Sequence, residues 1–253
     1  MRQGAVRLER EGAVAFVTLA NPGRLNAMSR AMWRALRAVF DGELARDASL
    51  RCVIVRGEAG QFCAGGDISE YPSFRFDEAL LREFHENEVW AALAAMRACE
   101  LPLVAQIEGA CMGAGLEIAS CCDIRLAGES AKFGAPIAKL GFPMAPREAA
   151  LVRGAVGDAL ARDMLLAASV HGAQRLYAAG FLLAVLPDAE VASRALAHAA
   201  RIAELAPKAA RANKRTLAAA SAESLLATAY DYADSPEHRE GIAAFLAKRP
   251  PVF

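Results

Sequence analysis

Residues 103–119 read LVAQIEGACMGAGLEIA, a stretch that passes from strand to turn to helix. Leu103 to Gly109 is a short apolar run, bounded by Pro102 before it and glycine after it. The run ACMGAG (110–115) is too small and too rich in glycine to continue the strand. Leu116, Ile118 and Ala119 then surround one carboxylate, Glu117, at the start of a short helix. Such an acid is solvated, paired with an arginine such as Arg125, or held in a dry site where burial raises its pKa.

The same unit occurs earlier. CVIVRG (52–57) reads as a strand and runs into EAGQFCAGGD (58–67), a second loop of small residues. Consecutive small residues leave backbone N–H groups unshielded, so a ligand oxygen can approach them. In CMGAGLE they also open a helix, whose first N–H groups have no intrahelical partner. If the two loops face one another, one N–H from each makes an oxyanion hole for a thioester carbonyl turning into an enolate. Each such donor contributes about 10² to 10³ in rate. Glu117, one turn beyond Ala114, then stands beside that carbonyl as a general acid or base.

Working outward, segments 5–10 and 13–19 predict a hairpin turning at Glu11-Gly12. Ser29 predicts a helix cap, with Met32, Leu36, Val39 and Phe40 on one buried face. A helix is predicted over 77–98 with Leu81, Phe84, Leu93 and Met96 inward, stopped by Pro102. From about 145 onward the reading is almost wholly helical, with turns near Gly154, Gly172, Pro187, Pro207 and Pro236. Repeated strand–loop–helix units predict an α/β fold of stacked ββα units with the site at the strand ends. The expected division is a core over 1–190 and a helical region over 191–253, docked on the core or on a neighbouring subunit.

Composition removes several function classes. The 253 residues are 55% hydrophobic and 23% charged, which argues for a globular body rather than disorder. Lys+Arg and Asp+Glu both number 29, so no basic field exists for nucleic acid or an anionic membrane. The start lacks a signal-like apolar segment and no run reaches the roughly 18 to 20 apolar residues of a membrane span, so a cytoplasmic protein is expected. The six cysteines form no CxxC pair and the four histidines are far apart in sequence, so neither a metal site nor a disulfide framework is expected. Cys63 and Cys111 have no base nearby in sequence and read as small apolar residues rather than nucleophiles.

Four motifs, in order, carry a family resemblance: NPGRLNAM (21–28), FCAGGDISE (62–70), the run from Leu101 to Gly134, and EHREGIAAFLAKRPPVF (237–253). Together they resemble the enoyl-CoA hydratase/isomerase, or crotonase, superfamily over essentially the whole chain. The resemblance implies a crotonase-like α/β spiral of ββα repeats with a C-terminal helical region. It implies oxyanion donors at the N–H groups of Gly66 and Ala114, where the family more often has glycine at the second. The CoA moiety falls to Arg24, Leu25 and Ala27 near pantetheine or phosphates, and to Ala64, Asp67 and Ile68 around adenine. Phe245 and Lys248 match C-terminal CoA contacts, made within the subunit or to a neighbour. Asp67 also reads as a cap of the following helix. No separate cofactor is implied, coenzyme A being part of the acyl-CoA substrate, and the assembly would be a homotrimer or a dimer of trimers. Acyl-pocket walls fall to 71–96 and the C-terminal helices.

Glu117 matches the first of two catalytic glutamates of the hydratases. The second belongs to a motif FG-x-PE-x-x-LG, which here reads FGAPIAKLG (133–141), with Ile137 at the glutamate position. Isoleucine transfers no proton and dries that wall, so isomerisation with Glu117 as sole acid/base is expected over hydration. The alternatives are hydration of trans-2-enoyl-CoA with Lys139 or Glu148 as substitute acid, or a weakly catalytic acyl-CoA-binding protein. Glu148 itself is expected to start a helix after Pro146, favoured there by the helix dipole.

Overall fold

The structure, a computed structural model, describes residues 4–253; the first three residues of the start read above lie outside them. β1 (Ala5–Glu11) and β2 (Val14–Ala20) pair antiparallel and turn through Gly12, whose φ is +56°. Parallel pairing then carries the sheet through β3 (Cys52–Gly57), β4 (Leu103–Ile107), β6 (Ile124–Gly128) and β9 (Ala184–Leu186). A smaller sheet joins β5 (Ala110–Met112), β7 (Lys132–Gly134) and β8 (Val170–Gly172).

β2 and β4 are buried at every residue because both faces of the main sheet are covered. Side chains alternate strictly. Ala15, Val17, Leu19, Val53 and Val55 enter one apolar cluster, whereas Val14, Phe16, Cys52 and Ile54 enter the other. The larger cluster lies under α1 (Arg30–Ala38), where Ser29 caps by accepting from the Met32 N–H. It also lies under the long helix α2 (Glu78–Glu83), which continues through a π-wound turn at Phe84–Val89 into α3 (Trp90–Ala98). α4 (Ala114–Ser120) follows β5 and carries Glu117.

The second half is less uniformly helical than expected. α5 (Pro146–Val156), α6 (Asp158–Leu166) and α7 (Ala173–Ala178) are interrupted by β8 and followed by β9, strands of three residues that are too short to show a period. Gly154 marks no turn. It lies inside α5, and the break comes at Gly157, whose φ of +86° suits glycine. α8 (Val191–Ala203) closes the second face of the sheet with Ala195 and Ala199. α9 (Pro207–Ala218) and α10 (Pro236–Leu246) bury far less: beyond residue 203, Ala244 is the one buried hydrophobic among the described residues. Among the described residues, no helix is long and apolar enough to cross a membrane.

Gly115 shows how closely the first α4 turn approaches loop 62–67. A Cβ there would sit 2.4 Å from the Cys63 carbonyl oxygen, a backbone atom that cannot swing away, whereas a Cβ on Gly154 meets nothing. Gly115→Ala should therefore destabilise by about 1–3 kcal/mol through overpacking. Gly154→Ala should stabilise by about 0.5–1 kcal/mol through helix propensity. Denaturant melts of both variants check the pair, and equal effects would contradict the close approach.

Candidate active site

The two small-residue loops lie side by side, locked by backbone hydrogen bonds. On one edge of loop 62–67, Ala64 N–H donates to the Leu25 carbonyl (2.9 Å), Met28 N–H to Gly65 (2.8 Å) and Asp67 N–H to Met28 (2.8 Å). On the other, Cys63 N–H donates to Ala110 (2.7 Å) and Met112 N–H to Cys63 (2.9 Å). Gly65 and Gly113 have φ of +117° and +47°, conformations that side chains rarely adopt. Among the described residues, the N–H groups of Gly66 and Ala114 find no acceptor, and both residues border one cavity of about 200 Å³.

Glu117 borders the same cavity, 8% exposed and without a hydrogen-bonding partner among the described residues. Burial, and secondarily the neighbouring Glu148 carboxylate, push its pKa up to about 8. Trp33, Phe84, Val89 and Met144 make much of the wall apolar, and Ile137 lies on it where the hydratase motif has its second acid. Tyr71 stands at the other loop: a Cβ on Gly66 would come 2.2 Å from its hydroxyl oxygen, so any side chain there would have to push the Tyr71 ring aside.

Glu148 stands in the first turn of a helix after Pro146, as expected. It is 2% exposed in the first turn of α5, because that helix packs its N-terminus against the site rather than against solvent. Its Oε1 lies 3.1 Å from Nδ1 of His85, and His85 borders the cavity. His85 reaches inward from the π-wound turn, where a wider winding brings Phe84, Glu88 and Val89 inward as well. Glu88 anchors that turn by accepting from Arg30 Nε (2.9 Å) and Nη2 (2.7 Å) and from Arg34 Nη1 (2.8 Å). Lys139, the other proposed substitute, is exposed and off the cavity wall.

Of the residues assigned to coenzyme A, Ala64 and Ile68 border the cavity. Arg24 and Asp67 pair with each other at 2.5 Å, and Asp67 also caps the next helix by accepting from the Ser69 N–H. Leu25 is exposed on the adjoining loop with φ of +47°, and Ala27 is buried. Phe245, 82% exposed, and Lys248 lie on the C-terminal segment, off the cavity wall. Burial raises the Cys63 thiol to about 12 and the Cys111 thiol well above its ordinary value, which keeps both as thiols. Among the described residues no group of three His, Cys, Asp or Glu is placed to hold a metal.

Sequence reading passed over His85, Tyr71 and Arg75 on the cavity wall, although it assigned the acyl pocket to their stretch. The available signal was polar residues beside buried positions of the helix over 77–98, such as His85 next to Phe84. The expected contribution of the C-terminal helices to that wall is not seen among the described residues.

Comparison with known proteins agrees with this architecture. The family model described as enoyl-CoA hydratase/isomerase matches residues 9–253. A probable enoyl-CoA hydratase of Mycobacterium tuberculosis is 30% identical over 260 residues, covering 100% of this chain and 99% of that protein. The 2,3-dehydroadipyl-CoA hydratase of Escherichia coli is 33% identical, covering 97% of each. A crystal structure of an enoyl-CoA hydratase/carnithine racemase from Magnetospirillum magneticum superposes with a TM-score of 0.93 at 39% identity, over 98% of this chain and 94% of that one. With its crotonase fold and a family match that runs almost end to end, the chain is an enzyme of the enoyl-CoA hydratase/isomerase family, acting on CoA thioesters.

Proposed function

We propose that the enzyme moves a double bond in an enoyl-CoA, with Glu117 carrying a proton between two carbons of a thioester enolate. One observation carries this reading: among the described residues Glu117 is the only carboxylate bordering the cavity, and the apolar Ile137 lies where a second acid would. For a 3-enoyl-CoA, the ionised Glu117 takes the proton from the α-carbon, leaving its electron pair delocalised onto the thioester oxygen. The N–H groups of Gly66 and Ala114 stabilise that oxygen. Glu117 then returns the same proton at the γ-carbon, which shifts the double bond and restores the carboxylate. A pKa near 8 in a dry cavity suits a group that must take and give a proton in one cycle.

A second reading has its own observation. His85, held by Glu148 at 3.1 Å, is a polar group on the cavity wall able to activate water for hydration. Assays with a 3-enoyl-CoA and the matching trans-2-enoyl-CoA separate the two. Isomerisation should exceed hydration, and Glu117→Gln should lower isomerisation by about 10²- to 10⁴-fold. Hydration as the faster reaction, abolished by His85→Gln, would establish the second reading instead.

The Glu117 pKa sets two pH signatures. If ionised Glu117 is the base, kcat/KM rises with pH toward a plateau above about 8. Stability runs the opposite way. The folded state holds the Glu117 proton up to about pH 8, whereas an unfolded glutamate releases it near 4.5, so this group's contribution is full below 4.5 and is lost as pH rises to 8. Glu117→Gln should therefore gain in Tm relative to wild type between those values, in thermal melts taken at pH 4 and pH 9. A constant difference would place Glu117 in contact with water.

A trimeric assembly, or a dimer of trimers, is part of the same proposal. It is supported by the exposed Tyr230, Ile242, Phe245 and Leu246 of the C-terminal third. Light scattering should give a mass three or six times the 26.8 kDa of one chain, and a monomer would contradict the proposal.

A further inference from the structure

Among the described residues Arg75 is the one guanidinium on the cavity wall, and it borders both the Glu117 cavity and a second cavity of about 480 Å³ that shares Tyr71, His85 and Phe142 with the first. Its guanidinium carbon lies 3.5 Å from the Phe142 ring centroid and 4.6 Å from that of Tyr71. A cation held over aromatic rings is attracted by their electron density without spending its N–H groups on an acceptor. Other arginines turned inward are satisfied: Arg30 grips Glu88, and Arg125 donates to the carbonyls of Phe181 and Cys122. Among the described residues nothing accepts from Arg75, and neither cavity offers it a carboxylate other than Glu117. Glu117 borders the first cavity only, and Tyr71 is the one ionisable group that influences the titration of Arg75.

An acyl chain running from the oxyanion donors past Glu117 toward the second cavity therefore passes apolar side chains and comes within reach of a cation that has no acceptor among the described residues. Leu81, Leu140, Phe142 and Pro143 are among those side chains. We propose that the substrate acyl group ends in a carboxylate, which the Arg75 guanidinium binds. The rings hold Arg75 in place beforehand, so little side-chain freedom is lost on binding, and the planar fork matches both carboxylate oxygens. This inference rests on the acyl-CoA reading of the site.

The test compares trans-3-hexenedioyl-CoA, carrying one free carboxylate, with trans-3-hexenoyl-CoA of equal chain length. Wild type should favour the carboxylate-ended substrate in kcat/KM by about 10- to 100-fold, the scale of one charge-assisted contact. Arg75→Met should collapse that ratio toward one, and Arg75→Lys should restore part of it. Equal kcat/KM for the two substrates in wild type, or an unchanged ratio in Arg75→Met, overturns the proposal. Calorimetry with the saturated hexanedioyl-CoA, hexanoyl-CoA and free CoA separates the remaining outcomes. If Arg75→Met weakens all three equally, Arg75 serves the CoA phosphates and the carboxylate site is wrong. If no enoyl-CoA is turned over while binding still favours hexanedioyl-CoA in an Arg75-dependent way, the proposed reaction fails and the subsite stands.

Discussion

The backbone ladder that fixes loop 62–67 between residues 25–28 and β5 is the constraint on which the site depends. It pairs the N–H groups of Cys63, Ala64 and Asp67 while leaving that of Gly66 without an acceptor, and β5 leads directly to the free N–H of Ala114. An unpaired backbone donor away from water costs about 1–3 kcal/mol. That cost is sustained because neighbouring groups on the loop are bonded, so the chain cannot relax to satisfy the two left over. Close approach is also why the loops are small: the Cys63 carbonyl occupies the space a side chain on Gly115 would need. Donors held in this way need no reorganisation when an oxyanion forms, which is the condition for electrostatic catalysis.

Three buried glutamates around this frame have different surroundings, and the surroundings separate their roles. Glu88 is gripped by two guanidinium groups and ties α1 to the π-wound turn. Glu148 faces an imidazole, and Glu117 has no hydrogen-bonding or ion-pair partner among the described residues. Removing one partner of a buried pair is strongly destabilising, so the first is a structural element whose effect on the site is to place His85. Desolvation, with the charge of Glu148 adding to it, drives Glu117 to a pKa of about 8. A perturbed acid next to unsatisfied donors in a cavity is the combination that marks reactive sites rather than scaffolding.

The sheet and the two loops were legible because their signals are local and repeated. The apolar, β-branched runs of β2 and β3, glycine at Gly65 and Gly113, and the spacing from Ala114 to Glu117 all follow from the chain over a few residues. The face of α1 was legible for the same reason, since Met32, Leu36, Val39 and Phe40 recur at helical spacing and are buried. What escaped depends on tertiary packing. A π-wound turn leaves the composition of the helix over 77–98 unchanged yet moves His85 onto the cavity wall. Glu148 begins α5 as helix-dipole reasoning expects, but its burial comes only from the docking of that helix. β8 and β9 have three residues each, so their pairing comes from neighbouring strands and not from any period of their own.

The exchange of an acid for Ile137 does more than delete a proton carrier. Two carboxylates in one dry cavity repel, and the second would raise the pKa of the first further and draw in water to solvate both. Here the second carboxylate, Glu148, is set back from the cavity and engaged by His85, so its charge acts on Glu117 while its oxygens are kept off the wall. Hydration needs a water and a proton at separate carbons at once, which two wall groups divide between them. Moving a double bond needs one group to reach two carbons in turn, and excluding water protects the enolate between the steps. One unpaired acid, a largely apolar wall and two N–H groups without acceptors are therefore the physical ground for the proposed isomerisation.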